Sequence, residues 1–270
     1  MRIMIVVVVL TCVSCVSKTG QEQRFSESAT LTPPRLELNL RDSENYSFAA
    51  VGDLHVGNGD TTRLRTILNS AREEGDAFIL LLGDLADEGE RIDFVAIKEA
   101  IREAGFENKV LYVIGNHDIV REGWTHWKEL LGPTHYSVAA GNSKFIVTDS
   151  ADGTLGKTQW DWLTEELKQS RPTHLFLLSH YLPIVPGERT FLRFPDEWEG
   201  ARLMRLAVNY SVTAWLGGHF HSFAKGTVDG VTYVVAGGGG GKRLGPVTDF
   251  FFVQVRVQGT TVNYELRIVP

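Results

Sequence analysis

The chain has 270 residues, 43% hydrophobic and 22% charged, enough apolar material for one sizeable core. Its formal net charge of −6 argues against a protein held to a nucleic-acid polymer by excess Lys and Arg. A small phosphorylated substrate stays compatible, because bound cations reverse the local charge. Both cysteines, Cys12 and Cys15, stand near the start, so any metal held by the rest of the chain has oxygen and imidazole ligands.

Residues 1–15 read as a signal peptide. Arg2 gives a short positive start, and the apolar run Ile3 to Leu10 is too short for a bilayer core, which needs roughly 20 residues. Thr11-Cys12-Val13-Ser14-Cys15 resembles a bacterial lipoprotein signal, with Cys15 the better lipidation site and Cys12 the second choice. The expectation is an exported protein, periplasmic or on the outer cell surface, touching the membrane only through an N-terminal lipid anchor. A simple cleaved signal or a short uncleaved anchor are the alternatives. Residues 16–44 are polar, contain Pro33-Pro34 and read as a tether. The folded body is expected over 45–270.

Within that body short apolar runs alternate with helix-like stretches. Residues 46–51, 77–82, 110–114, 144–148, 174–178 and 212–216 have strand length and apolar density. Residues 61–74, 91–104 and 157–169 carry apolar side chains at i, i+3, i+4 and i+7, the amphipathic helix pattern. Such alternation predicts an α/β protein with its sheet covered by helices. Residues 231–236, 250–257 and 260–268 follow as consecutive strands, so the sheets are expected to be mixed.

Five of these runs end alike. They lead to Gly52-Asp53-Leu54-His55, Gly83-Asp84, Gly115-Asn116-His117-Asp118, Ser179-His180 and Gly217-Gly218-His219-Phe220-His221. Ligands of open α/β sheets bind beyond the carboxyl ends of the strands, and glycines let the chain turn there. One Asp after a strand is usually a turn residue, and one His is usually structural. Carboxylate, amide and imidazole groups at five strand ends together point to metal ligation.

The ordered set Asp-x-His, Gly-Asp, Gly-Asn-His-Asp, a lone His and Gly-His-x-His resembles the calcineurin-like metallophosphoesterase family from about Tyr46 onward. The resemblance implies a four-layer αββα sandwich, two mixed sheets flanked by helices, and two transition-metal ions (Mn, Fe or Zn). Carried over, Asp53, His55 and His221 hold the first metal. Asn116, His180 and His219 hold the second, and Asp84 bridges them. The implied activity is hydrolysis of a small phosphoester by a two-metal-bridged hydroxide, with diesters slightly preferred over monoesters. A non-catalytic, metal-stabilised surface protein is the competing reading. Purple acid phosphatases of the same superfamily have a tyrosine three residues after the bridging Asp; here that residue is Asp87, which argues against a tyrosinate–iron centre.

His117 follows a ligand without being one, so it is the expected general acid, with Asp118 orienting its imidazole. The run Gly237–Gly241 before Lys242-Arg243 lacks phosphate-loop spacing and reads as a flexible loop at the site rim. In 184–200, Arg189 and Arg193 are candidate substrate contacts, with Phe191, Phe194 and Trp198 as aromatic companions; a packed surface loop is the competing reading. Asp149 could reach the crevice, while His126, His135 and His174 are expected to be structural.

Overall fold

A computed structural model describes residues 19–33, 36, 38, 40–169, 171–187 and 193–269. The expected signal peptide with Cys12 and Cys15 lies outside these residues, as do Arg189 and Phe191.

Strands β1 (Asn45–Val51), β2 (Ile79–Leu82) and β3 (Val110–Val113) are parallel, and β10 (Phe250–Gln258) and β11 (Thr261–Val269) extend their sheet antiparallel. The order is β11-β10-β1-β2-β3. The second sheet holds β4 (Tyr136–Ala140), β5 (Ser143–Val147), β6 (His174–Leu178), β7 (Ala214–Gly217), β8 (Phe223–Val228) and β9 (Val231–Ala236), in the order β4-β5-β6-β7-β9-β8. Both sheets are mixed.

Period-two alternation explains how they stack. On β1, Phe48 and Ala50 face the second sheet; Phe48 stacks at 4.8 Å on Phe78, just before β2 of its own sheet, and meets Phe145 of β5 edge-on at 5.3 Å. Ala49 and Val51 point the other way, into a core with Ile67, Leu68 and Ile97. Those residues belong to α2 (Thr62–Glu73) and α3 (Arg91–Glu103), which with α4 (Gly123–Leu130) cover the first sheet. Helices α5 (Gly156–Gln169) and α6 (Glu197–Asn209) cover the second through Leu163, Leu167, Leu203 and Ala207. The result is the expected four-layer αββα sandwich. Each fully buried large apolar side chain contributes roughly 1.5–3 kcal/mol of transfer free energy.

Four elements of the body carry little sequence signal. β4 and β8 are partly exposed, and β8 contains Lys225 and Gly226. α4 buries only Gly123, Trp124 and Trp127. α6 starts inside the stretch read as a loop, where the Asp196 carboxylate caps it by accepting from the Trp198 and Glu199 amides.

The tether needs correction. Residues Gln21–Ser28 form a helix, α1, docked on the body. The Arg24 side chain is fully buried and donates to both Asp149 oxygens at 2.9 Å and to Asp152 at 3.0 Å. Phe25 stacks on His135 at 3.9 Å, and Glu27 accepts from Lys128 and the Trp124 indole, both at 2.8 Å. A polar composition hid this helix, because its anchors are one guanidinium and one ring. Asp149 is thus engaged by α1.

Candidate metal centre

All five loops that carry the candidate ligands leave the carboxyl ends of parallel strands: β1, β2, β3, β6 and β7. Asp53, His55, Asp84 and His219 adopt left-handed backbone angles, with φ of 59°, 47°, 51° and 65°. Non-glycine residues seldom sit there, and each costs on the order of 1–3 kcal/mol, which the surrounding packing sustains. At Gly83 the approach is closer still: a Cβ would lie 2.5 Å from His180 Nδ1, so only glycine lets that imidazole lie against the β2 loop.

Around Asp84 the groups fall into two sets. Asp53, His55, Asp84 and His221 place one ligand atom each within 4.8 Å of one another, and Asp84, His180 and His219 do the same. Asp84 Oδ2 is 3.7 Å from His55 Nε2 and 3.2 Å from His180 Nε2, so one carboxylate faces both sets. Asn116 Oδ1 completes the second set, 3.2 Å from His180 Nε2 and 3.1 Å from His219 Nδ1.

The donor chemistry fits cations. A carbonyl can only accept, so His221 Nδ1 donates to the Lys242 carbonyl at 2.8 Å and His180 Nδ1 donates to that of Leu82 at 2.9 Å. His55 Nδ1 meets the Asp87 carboxylate at 3.0 Å. In their neutral forms, all three then turn an Nε2 lone pair inward. His55 and His221 Nε2 face each other at 3.2 Å, and Asp53 Oδ2 is buried with no hydrogen-bond partner. Acceptors converging without donors form an arrangement that a cation satisfies, with the outer nitrogens fixed by hydrogen bonds as metal-bound histidines require.

The electrostatics agree. Burial, reinforced by neighbouring imidazoles, lowers His219 to about 3 and His221 to about 4, keeping both neutral. Burial also pushes Asp53 upward. Burial opposes a charged His180, but the nearby Asp84 carboxylate outweighs it and raises the group to about 9. Burial would likewise raise Asp84, and His180 instead holds it well below the usual carboxylate range. Without a cation, therefore, a proton occupies the Asp84–His180 contact.

His117 lies at the open side, about 40% exposed, with its amide bonded to Asp84 Oδ1 at 2.8 Å. Its Nδ1 donates to the Asp87 carbonyl at 2.6 Å, leaving Nε2 free. Asp118 is not its partner, contrary to expectation. The buried Asp118 carboxylate accepts from the Leu85, Ala86 and Gly115 amides at 2.8, 2.9 and 2.8 Å, tying the Asp84 loop to the Asn116 loop. Burial, with Asp84 nearby, pushes its carboxyl up.

Two neighbours were not picked out as site residues. Tyr181 lies over His219 with ring centroids 3.8 Å apart, and its adjacency to His180 was the available clue. Asp87, noted only for not being tyrosine, serves His55 with its carboxylate and His117 with its carbonyl. Arg193 pairs instead with Glu197, and among the described residues no hydrogen bond or ion pair links it to the ligand side chains. Phe194 is buried in the core and Trp198 is exposed. His126 and His174 bond backbone carbonyls, as structural residues do.

The glycine run is a packed wall rather than a flexible rim. Gly237, Gly239 and Gly241 donate their amides to the carbonyls of Ser222, Gly52 and Asp53, so those amides are not available to cradle a phosphate.

A family model described as Calcineurin-like phosphoesterase matches residues 46–223. A probable cyclic nucleotide phosphodiesterase of Synechococcus is 27% identical over 164 residues, covering 54% of this chain. The matched region spans 62% of that relative, less than two thirds of its length. Among solved structures, the purple acid phosphatase PPD1 from yellow lupin seeds aligns over 87% of this chain and 52% of its own, with TM-score 0.67 and 15% identity. A dimetal phosphatase from Danio rerio aligns over 83% and 96%, with TM-score 0.65 and 13% identity. At these identities the two structures show a shared fold.

Proposed function

The chain belongs to the calcineurin-like phosphoesterase family, and we propose that it is a hydrolase that cleaves small phosphodiesters, in preference to monoesters, at a two-metal centre. The observation that carries this reading is the convergence of acceptors on both sides of Asp84, with the His55 and His221 lone pairs opposed at 3.2 Å. The diester preference rests on the Synechococcus relative, itself a probable cyclic nucleotide phosphodiesterase.

Asp53, His55 and His221 would hold one ion, Asn116, His180 and His219 the other, and Asp84 both. Two such ions supply a nucleophile from water at neutral pH and neutralise charge on the phosphoryl oxygens. The protein does the rest. His117, fixed through Nδ1 by the Asp87 carbonyl, would in its doubly protonated form present Nε2–H to the departing oxygen. Asp118 sets the spacing of the two loops that carry Asp84 and Asn116. Tyr181 packs on His219 and restrains its ring. Asp87 in place of tyrosine argues against a tyrosinate–iron centre. In the same reading the enzyme acts outside the cytoplasm, tethered through Cys15 or Cys12.

The test is a panel of mono-, di- and pyrophosphate esters offered to protein loaded in turn with Mn²⁺, Zn²⁺ and Fe²⁺. Faster turnover of a bis-aryl phosphate than of the matching aryl monoester is expected. The reverse order overturns the diester preference. No turnover under any metal would favour a metal-stabilised binding protein.

A further inference from the structure

Beside the glycine wall stand two arginines that the proposed chemistry does not use. Arg63, on the first turn of α2, has its guanidinium carbon 4.0 Å from the centre of the Phe250 ring, and that of Arg243 lies 4.4 Å from the same centre. Arg63 donates one bond to the Gly240 carbonyl at 2.9 Å. Arg243 donates to Gly237 and Gly238 at 3.1 and 2.9 Å. No carboxylate lies within ion-pair distance of either among the described residues. Each guanidinium has five N–H donors, so most are uncommitted, and Arg243 Nε is buried without a partner. Two like charges sharing one ring repel each other; Asp60 near Arg63, and Asp53 and Asp249 near Arg243, offset part of that cost, and a bound anion would relieve what remains.

That wall adjoins the first ligand set. A Cβ on Gly241 would lie 2.5 Å from His221 Nδ1, and one on Gly237 would lie 2.5 Å from Asp53 Oδ2. Beside His55 a cavity of about 230 Å³ is lined by Arg63, Asp60, Gly57 and Gly239. Asp60 is the acidic group there, and its carboxylate accepts from the Thr62 amide at 3.0 Å.

We propose that Arg63 and Arg243 form a subsite for a second oxyanion of the substrate, a carboxylate or a phosphate that is not itself cleaved. A planar guanidinium suits such a group, since its fork can donate two parallel bonds to it; Arg63 lines the cavity beside His55, and Arg243 contacts the same Phe250 ring. The substrate is then a diester whose retained arm carries its own negative charge. This rests on the hydrolase reading above and adds to it what the retained arm looks like.

Two measurements separate the claims. First, metal-free protein is titrated with phenylphosphonate. Binding that weakens at least about tenfold in both Arg63→Gln and Arg243→Gln is expected, from the loss of a charge-assisted contact. Second, the metal-loaded enzyme is given p-nitrophenyl phenyl phosphate and analogues bearing a carboxylate or a phosphonate on the phenyl ring. The charged-to-uncharged ratio of kcat/KM should exceed about ten and fall toward one in the variants, and the better analogue identifies the oxyanion. Arg63 is exposed, so its variant decides the matter if Arg243→Gln fails to fold. Phosphonate binding that both variants leave intact, or a wild-type ratio near one, overturns the subsite. Arginine-dependent binding without turnover of any diester upholds the subsite and overturns the hydrolytic reading.

Discussion

His55 and His221 face each other through Nε2 atoms 3.2 Å apart, and each has its Nδ1 engaged by a group outside the site. That contact is repulsive between neutral rings and becomes favourable when both coordinate one cation. Metal removal should therefore destabilise the fold. Chelation is expected to lower Tm, and added Mn²⁺ to restore it in proportion to the logarithm of its concentration. A Tm indifferent to metal would count against the site.

Metal binding should release protons. The folded-state pKa of His180 is raised to about 9, so it carries a proton below that pH, and Asp53 is raised by burial. A cation must displace what they hold. Between pH 6 and 9, affinity should rise with pH. Calorimetry in two buffers of different ionisation enthalpy should report release of about one proton or more. Equal heats in the two buffers would contradict the assigned His180 state.

Asp84→Ala removes the carboxylate that faces both ligand sets and leaves the His117 amide unpaired. Both ions should be lost together, and activity should fall by about 10³-fold or more, since the metals supply several kcal/mol of transition-state stabilisation. Metal content by atomic emission tests this. Retention of one full equivalent would place the bridge elsewhere.

His117→Ala should keep both metals and lose about 10²–10⁴ in kcat on a diester with an alkoxide leaving group. An aryl leaving group needs less protonation, so the loss should be smaller there. Equal losses on both substrates would exclude the general-acid role.

Asp118→Asn tests the corrected assignment. The amide retains one acceptor oxygen against three backbone donors, which should cost roughly 1–3 kcal/mol of stability. If Asp118 acts only on the backbone, the ratio of kcat on alkyl and aryl leaving groups, which reports His117, should not change. A changed ratio would restore the orienting role.

Arg24→Met leaves the buried Asp149 carboxylate without its guanidinium, and removing one partner of a buried pair costs about 3–5 kcal/mol. Faster hydrogen exchange across 21–28 should accompany the loss. Unchanged exchange would mean that Phe25 and Glu27 suffice to dock α1.

The converging residues were legible in the sequence because the signal is local. An apolar run, a glycine and a polar residue specify a strand and a sharp turn whatever the rest of the chain does, and five such strings named seven side chains that the fold brings together. The same locality made the α/β class readable from runs of period two and 3.6. Weak elements such as β8 and α4 escaped because too few of their side chains are apolar to set a period.

Tertiary structure decided what depends on distant partners. Arg24 meets Asp149 across 125 positions, and Arg63 meets Gly240 across 177. No local pattern marks either contact, so a docked helix looked like a tether and a packed wall looked like a flexible loop. Asp118 shows the same limit at short range. Its place beside His117 suggested a catalytic partner, but the backbone turns its carboxylate inward to three amides, and a carboxylate buried there is satisfied only by those donors.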